Sequence, residues 1–405
     1  METTGTAVST TRLPSLTGMR IIAAGMIFFF HAQFEHVFAD PAAQDVYAAI
    51  LGQGGPTGVG FFFILSGFVL TWSARAGDTP GRFWRRRFFK VYPNHFVTFL
   101  VAALLLTWLV TPPQAGPALL NLFLLQAWTP NLSVMLSVNS VSWSLSCEAA
   151  FYLLFPFLLT RINRIRPERL WWLAGGLLAL MWAVPTVVAR LPLPTGGPSI
   201  PWHNVSQWEF WLAYTAPPVR ALDFVLGMVM ARIVLSGKWI GLRLGPAFAL
   251  LVVGFLAAGV VPVVYRMVAV TAIPMALVIP AAAMADVRGT RSLLRLPVMV
   301  WLGDISFAFY LWHRLVLRFG HMAVGAKRQW DTLPALGMLL AALAVTIALS
   351  WLLYRFVEVP AMRRWSKPRR RPAGAVAPEA VAAPEDTVVS PRPAPSALPL
   401  PPPEG

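Results

Sequence analysis

Apolar residues run along this chain in long unbroken blocks separated by short polar stretches. They show neither the alternation of half-buried strands nor the single apolar stripe of a soluble helix. A membrane helix needs about 20 predominantly apolar residues to cross the roughly 30 Å hydrocarbon layer. About ten segments meet that criterion, near residues 15–37, 56–74, 94–111, 138–159, 170–189, 208–235, 244–264, 267–286, 297–319 and 333–356. The pattern therefore predicts an all-α fold, a polytopic integral membrane bundle of about ten transmembrane helices. Nothing between the blocks is long enough for a separate domain, and the largest loop, near 190–207, is rich in Pro and Gly. From residue 366 the composition turns to Lys, Arg, Pro, Ala and Glu and closes on a proline run. Such a stretch buries no core. The expected organisation is a membrane domain over 1–365 and a disordered cytoplasmic tail over 366–405.

Composition agrees, with 57% hydrophobic and only 12% charged residues, against about 25% charged in an ordinary soluble domain. Lys and Arg collect in cytoplasmic loops of membrane proteins, and here they cluster in alternate loops: Arg75 to Lys90, Arg161 to Arg169, Arg232 to Arg243, Arg288 to Arg295 and Arg363 to Arg371. Both termini are thereby assigned to the cytoplasm. The net charge of +16 becomes a topology signal, and a nucleic-acid partner has no basic, aromatic-rich module to bind. Residues before the first block offer only Arg12 as a cation, and no small-residue cleavage site follows, so an uncleaved helix is expected. A single cysteine, Cys147, excludes an internal disulfide and a multi-cysteine metal site; no metal is expected.

The chemistry must lie within the helices. Arg20 and His31 bracket ten residues, Ile21 to Phe30, that are all apolar or glycine. At about 100° and 1.5 Å per residue the two side chains share one face, about 16 Å apart along the axis. Ionisable groups at membrane depth are costly and mark functional sites by default. The alternative is an Arg snorkelling to the inner headgroups and a His at the outer boundary. Further along stand Glu148, Arg220, Asp223, Asp304, His313 and Arg314. Their depths predict Arg20 toward the cytoplasm, Glu148 and Arg220 near the middle, and His31 and His313 in the outer half. Two imidazoles and a carboxylate would then meet at the outer end of one cavity, where a histidine can accept a hydroxyl proton and Glu148 can orient its ring. Arg220 and Asp223, three apart, can instead simply neutralise each other. Asp304 beside Gly303 can cap or line a helix break. His36, His95, His203 and His321 receive no role.

These residues form a series of motifs. Leu16-Thr17-Gly18-Met19-Arg20 through His31 is similar to the Arg, ten residues, His signature of the membrane acyltransferase 3 family. Gly58-Val59-Gly60-Phe61-Phe62 with Leu65-Ser66-Gly67-Phe68 resembles its second signature, and Arg85-Arg86-Arg87 through Lys90 to Tyr92-Pro93 its cytoplasmic basic motif, with Lys90 where Arg is commoner. Trp143-Ser144-Leu145 with Glu148 and Phe151-Tyr152, then Arg220, Phe224 and Gly227, continue the likeness. Ser306-Phe307, Tyr310-Leu311 and His313, with Phe307 in place of Tyr, and Glu358-Val359-Pro360 complete it. Seven weak motifs in the right order make a specific resemblance over nearly the whole membrane portion.

The resemblance implies transfer of an acyl group, most often acetyl, from acyl-CoA as co-substrate to a hydroxyl, with no permanently bound cofactor. His31 would be the general base, Glu148 occupies a family-essential position, and Arg20 and His313 complete the catalytic set. Arg85, Arg86, Arg87 and Lys90, with Arg20, would hold the coenzyme by charge-assisted hydrogen bonds; the basic run can equally anchor anionic lipid. An acyl-enzyme on Cys147 or a serine stays open. The family often carries a fused esterase-like domain, and a stand-alone member without one is expected here. The acceptor is expected to be a hydroxyl-bearing sugar, glycan or glycosylated small molecule such as an antibiotic, and the Arg-, Ala- and Pro-rich composition suits a bacterial plasma membrane. The rival is a proton-coupled transporter using the same buried charges, although a carrier has no need of a coenzyme site.

Overall fold

A computed structural model describes residues 12–75, 77–194, 199–200, 205–325 and 328–366. The helices are α1 (Pro14–Ala32), α2 (Pro41–Leu51), α3 (Gly54–Trp72), α4 (Pro80–Leu109), α5 (Ala115–Leu122), α6 (Leu132–Met135), α7 (Trp143–Asn163), α8 (Leu170–Val188), α9 (Gln207–Phe210), α10 (Pro217–Leu235), α11 (Leu244–Ala258), α12 (Val263–Arg266), α13 (Ala272–Val287), α14 (Pro297–Gly325), α15 (Thr332–Leu353) and α16 (Val359–Trp365). Wider π turns occupy Trp211–Thr215 and Tyr354–Glu358. The one regular sheet among the described residues is the two-residue hairpin of Ser199–Ile200 with Val205–Ser206. The expected tail lies outside the described residues except for Ser366, as does His203.

The protein is an all-α, multi-pass membrane protein, but the expected number of crossings is corrected. Six helical stretches are long and apolar enough to cross a membrane: Pro14–Glu35, Pro41–Trp72, Pro80–Leu109, Trp143–Asn163, Pro167–Val188 and Thr332–Trp365. Four of the ten expected segments fail for two physical reasons. Helices α11 and α13, with 15 and 16 residues, rise only about 22–24 Å, short of the roughly 30 Å core. Helix α10 carries Arg220, Asp223 and Arg232, and α14 is interrupted by Asp304, His313, Arg314 and Arg318. Apolar runs in the sequence concealed both limits because helix ends and loop residues were counted together.

The centre of the bundle is built on close backbone approach. Helix α3 packs most extensively on α10, and α1 on α14 and α3. At the α3–α10 crossing, Gly67 lies against the Phe224 carbonyl and Gly227 against the Ile64 carbonyl, so that a Cβ at either would stand 1.9 Å from the facing oxygen. Without a hydrophobic force between helices in lipid, small residues that admit close contact hold such pairs together. Gly303 of α14 meets the Thr17 carbonyl of α1 in the same manner. Helix α14 is continuous there, so the break expected beside Asp304 does not occur, and Asp304 is exposed.

The start of α1 is fixed from a distance. Asp286 of α13 accepts from the Ser15 backbone N–H at 2.8 Å and from Ser15 Oγ at 2.7 Å, satisfying donors that a helix N-terminus leaves free. Between α5 and α7 the chain is irregular yet buried, with positive φ at Leu124 (58°) and Val138 (54°), a costly conformation for non-glycine residues. Polar side chains hold it: Asn121 and Gln126 donate to Ser142 Oγ at 3.1 Å each, and Asn139 Nδ2 donates to the Leu311 carbonyl at 3.1 Å. This segment delivers Val141 and Ser144 to Tyr310 of α14.

Candidate active site

His31 near the end of α1 and His313 in α14 meet directly. Their rings lie 4.9 Å apart between centroids, with His313 Nε2 3.0 Å from His31 Nδ1. His313 Nδ1 is 2.6 Å from the Tyr310 carbonyl, and His31 Nδ1 is 3.0 Å from the Ile27 carbonyl. A carbonyl only accepts, so the proton of each neutral ring is assigned to Nδ1. His313 Nε2 is then a lone pair that takes a share of the His31 Nδ1 proton. The remaining lone pair, His31 Nε2, carries no hydrogen bond among the described residues. The pair thus presents one free basic nitrogen, with its tautomer and orientation held from behind.

Two further contacts steady this arrangement. Tyr310 Oη donates to the Val141 carbonyl at 2.9 Å and accepts from Ser144 Oγ at 2.8 Å, which fixes the turn whose carbonyl holds His313. Arg314, next to His313, pairs with Glu35, whose other oxygen lies 3.4 Å from His321 Nδ1. Glu35 follows α1 by three residues, so this ion pair ties the end of α1 to α14 beside the imidazoles.

A cavity of about 380 Å³ is lined in part by Tyr310, and neither His31 nor His313 is among its lining residues. Arg20, Ser66, Arg87, Lys90, Glu148 and Tyr152 are among its lining residues. Glu148 accepts from Tyr152 Oη at 3.2 Å, and no contact between Glu148 and either imidazole occurs among the described residues. The expected meeting of two histidines and a carboxylate therefore divides: the histidines join each other, and Glu148 faces the basic cavity with Arg20. His313, not a carboxylate, orients His31.

The basic run divides as well, because the three consecutive residues Arg85, Arg86 and Arg87 point to different sides of the helix, and Lys90 returns to the side of Arg87. Arg85 is exposed and donates from Nε to the Trp365 carbonyl at 2.6 Å. Arg86 pairs with Asp78 in the loop before α4, and that hydrogen bond holds the Asp78 carboxyl below the ordinary aspartate range. Arg87 and Lys90 face the cavity. Arg87 Nε is buried without a hydrogen-bond partner, an orphan donor of the kind that native structures rarely leave. Lys90 Nζ donates to Glu358 Oε1 at 3.0 Å, and Asn94 Nδ2 donates to Glu358 Oε2 at 2.6 Å.

Elsewhere lie buried polar groups away from the histidine pair, and the side-chain nitrogens of Arg220 and oxygens of Asp223 have no hydrogen-bond partner among the described residues. Arg220 and Asp223 are completely buried and pair at 3.3 Å, with the guanidinium 5.1 Å from the Phe63 ring and 5.3 Å from that of Tyr214. That arrangement matches the mutual neutralisation expected of residues three apart. Cys147 is fully buried, its Sγ 3.4 Å from the Thr215 carbonyl, and it is not among the residues lining the cavity. Among the described residues no group of three or more His, Cys, Asp or Glu is placed to hold a metal ion.

Comparison with known proteins decides the family. A family described as an acyltransferase domain, acyltransferase 3, matches residues 13–355. The chain belongs to the acyltransferase 3 family. The acyltransferase MdmB of Streptomyces mycarofaciens is 43% identical over 380 residues, covering 91% of this chain and 95% of its own length. The exopolysaccharide production protein ExoZ of Rhizobium meliloti is 28% identical, over 79% of this chain and 93% of its own. The peptidoglycan O-acetyltransferase OatA of Listeria monocytogenes is 24% identical over 86% of this chain, which spans only 55% of that relative. No solved structure matches. The protein is an acyltransferase, and the transporter alternative falls with that assignment.

Within this acyltransferase, several participants escaped the sequence reading. Asn94 was missed although Arg87, Lys90 and Asn94 follow the three-and-four spacing of one helix face. Glu35 was missed although it lies one turn beyond His31. Tyr310 and Tyr152 stood in motifs without a role, because their partners are distant in sequence.

Proposed function

We propose that this acyltransferase moves a short acyl group from acyl-CoA to a hydroxyl of a sugar, glycan or glycosylated small molecule, with His31 as general base. The observation that carries the reading is the His31–His313 pair at 3.0 Å with His31 Nε2 left free. In the reaction, the acceptor hydroxyl gives its proton to His31 Nε2 as its oxygen attacks the thioester carbonyl. The carbon–sulfur bond then breaks, and the departing thiolate takes a proton, which the His31 imidazolium supplies. His313 Nε2 accepts from His31 Nδ1 and stabilises the charge that develops there.

The donor side rests on charge. Arg87, with its orphan Nε, Lys90 and Arg20 line one cavity, and this end carries the basic loops that mark the cytoplasm, where acyl-CoA is found. Phosphates would bind Arg87 and Lys90 while the arm bearing the thioester runs past Glu148 and Ser144 toward Tyr310 and the histidines. The acceptor class is supported by two relatives whose names speak of peptidoglycan and exopolysaccharide.

Membranes containing the wild type and His31→Ala, given isotopically labelled acyl-CoA and a panel of glycans and glycosylated small molecules, test the reading by mass spectrometry. Labelled product from the wild type is expected, reduced by about 10²–10⁴-fold in His31→Ala, the usual worth of a general base. Undiminished product from His31→Ala at equal expression removes His31 from the chemistry.

A further inference from the structure

A second and larger cavity, of about 1240 Å³, lies on a different side of α1 and α3 from the one described above. Its walls are apolar, formed by residues such as Met19, Met26, Phe61, Phe248, Phe255 and Met275. Its charged groups are Arg243, Arg288 and Arg291, from the start of α11 and the loop after α13. All three arginines are exposed, and none forms an ion pair or hydrogen bond among the described residues. Arg243 is also the residue capping the start of α11, whose first N–H groups receive no side-chain cap; a helix N-terminus in that state favours an anion. From Arg243 to Phe255 the groove follows α11 for about 18 Å, close to the roughly 15 Å of hydrocarbon in one leaflet.

We infer that this groove is a binding site for an anionic phospholipid, its phosphate held by Arg243, Arg288 and Arg291 and one acyl chain lying between α1, α3, α11 and α13. Basic loops are expected on this side of the membrane; what sets these three guanidinium groups apart is that they stand unpaired along one apolar trough. The length of that trough suits one leaflet, and the charge suits a headgroup with net negative charge over a zwitterionic one.

Native mass spectrometry of the full chain, released from nanodiscs of equimolar phosphatidylglycerol and phosphatidylcholine with matched chains, reads the site directly. The wild type is expected to retain one phosphatidylglycerol with at least about 10-fold preference, as three arginines near a headgroup imply. Arg243→Gln/Arg288→Gln/Arg291→Gln is expected to lose the preference, whereas Arg161→Gln/Arg164→Gln, exposed cations elsewhere, keeps it. Gly245 lines the groove next to Arg243, and a Cβ there meets no atom within 4 Å, so Gly245→Phe places a ring at the headgroup end without a backbone clash; it is expected to lose the retained lipid. Equal retention of the two lipids by the wild type overturns the inference. So does preference that survives the triple substitution or Gly245→Phe, or displacement of the lipid by added coenzyme A, which would make the groove a donor site.

Discussion

At the scale of single residues, the proposed mechanism has His313 act on the acceptor only through His31, and this gives the two histidines different signatures. When His31 takes a proton, its Nδ1–H donates to His313 Nε2 as a charge-assisted bond worth about 1.5–3 kcal/mol. His313→Ala should therefore lower kcat by about 10- to 150-fold with KM for acyl-CoA unchanged, and His313→Gln, which offers a carbonyl acceptor, should recover part of the loss. Steady-state rates on purified protein separate these outcomes; a fall as deep as that of His31→Ala would give His313 a direct part. Arg20 and His31 were legible from ten apolar residues flanked by two costly groups. Their surroundings were not, because depth along a helix says how high a group sits and nothing of which neighbour it faces. Glu148 was expected at the imidazoles for that reason, and Tyr152 holds it elsewhere.

At the scale of elements, the α3–α10 crossing is the contact least able to absorb change. A methyl at Gly227 would meet the Ile64 carbonyl at 1.9 Å, so the helices must separate, at a cost of about 1–3 kcal/mol or more for overpacking. Gly227→Ala should lower the temperature at which the protein loses its monodisperse peak, followed by size-exclusion chromatography after heating. Gly175→Ala on α8, where a Cβ meets nothing within 4 Å, should leave that temperature within the wild-type error. The long apolar helices were legible from hydropathy, and the all-α fold with them. The irregular segment after α5 was not, since it is held by Asn121, Gln126 and Asn139 through contacts that no local pattern announces, nor was α2, tied to the end of α1 by Tyr47 and Gln44. The overcount of crossings has a related origin: α10 and α14 are apolar between their charges, and only packing shows that α10 buries Arg220 and Asp223 inside the bundle.

At the scale of the whole molecule, the basic cavity and the histidine pair form two stations joined by Tyr310. Arg87→Gln should raise KM for acyl-CoA by about 10-fold or more, the worth of one hydrogen bond to a charged phosphate; Lys90→Gln should raise it less, because a phosphate must compete with Glu358 for Lys90 Nζ. Arg85→Gln and Arg86→Gln, whose side chains are engaged with Trp365 and Asp78, should change it less than threefold by the same steady-state measurement. Three links in this assembly span most of the chain. His31 waits for a partner 282 residues later, the Ser15 clamp for one 271 later, and Lys90 for one 268 later. On the proposed mechanism, the first helix to leave the ribosome therefore carries a base held only by its own Ile27 carbonyl until translation is almost finished. A truncated product stopping before residue 313 lacks the partner of that base however well it inserts, so a half-made enzyme is expected to spend its thioester only slowly.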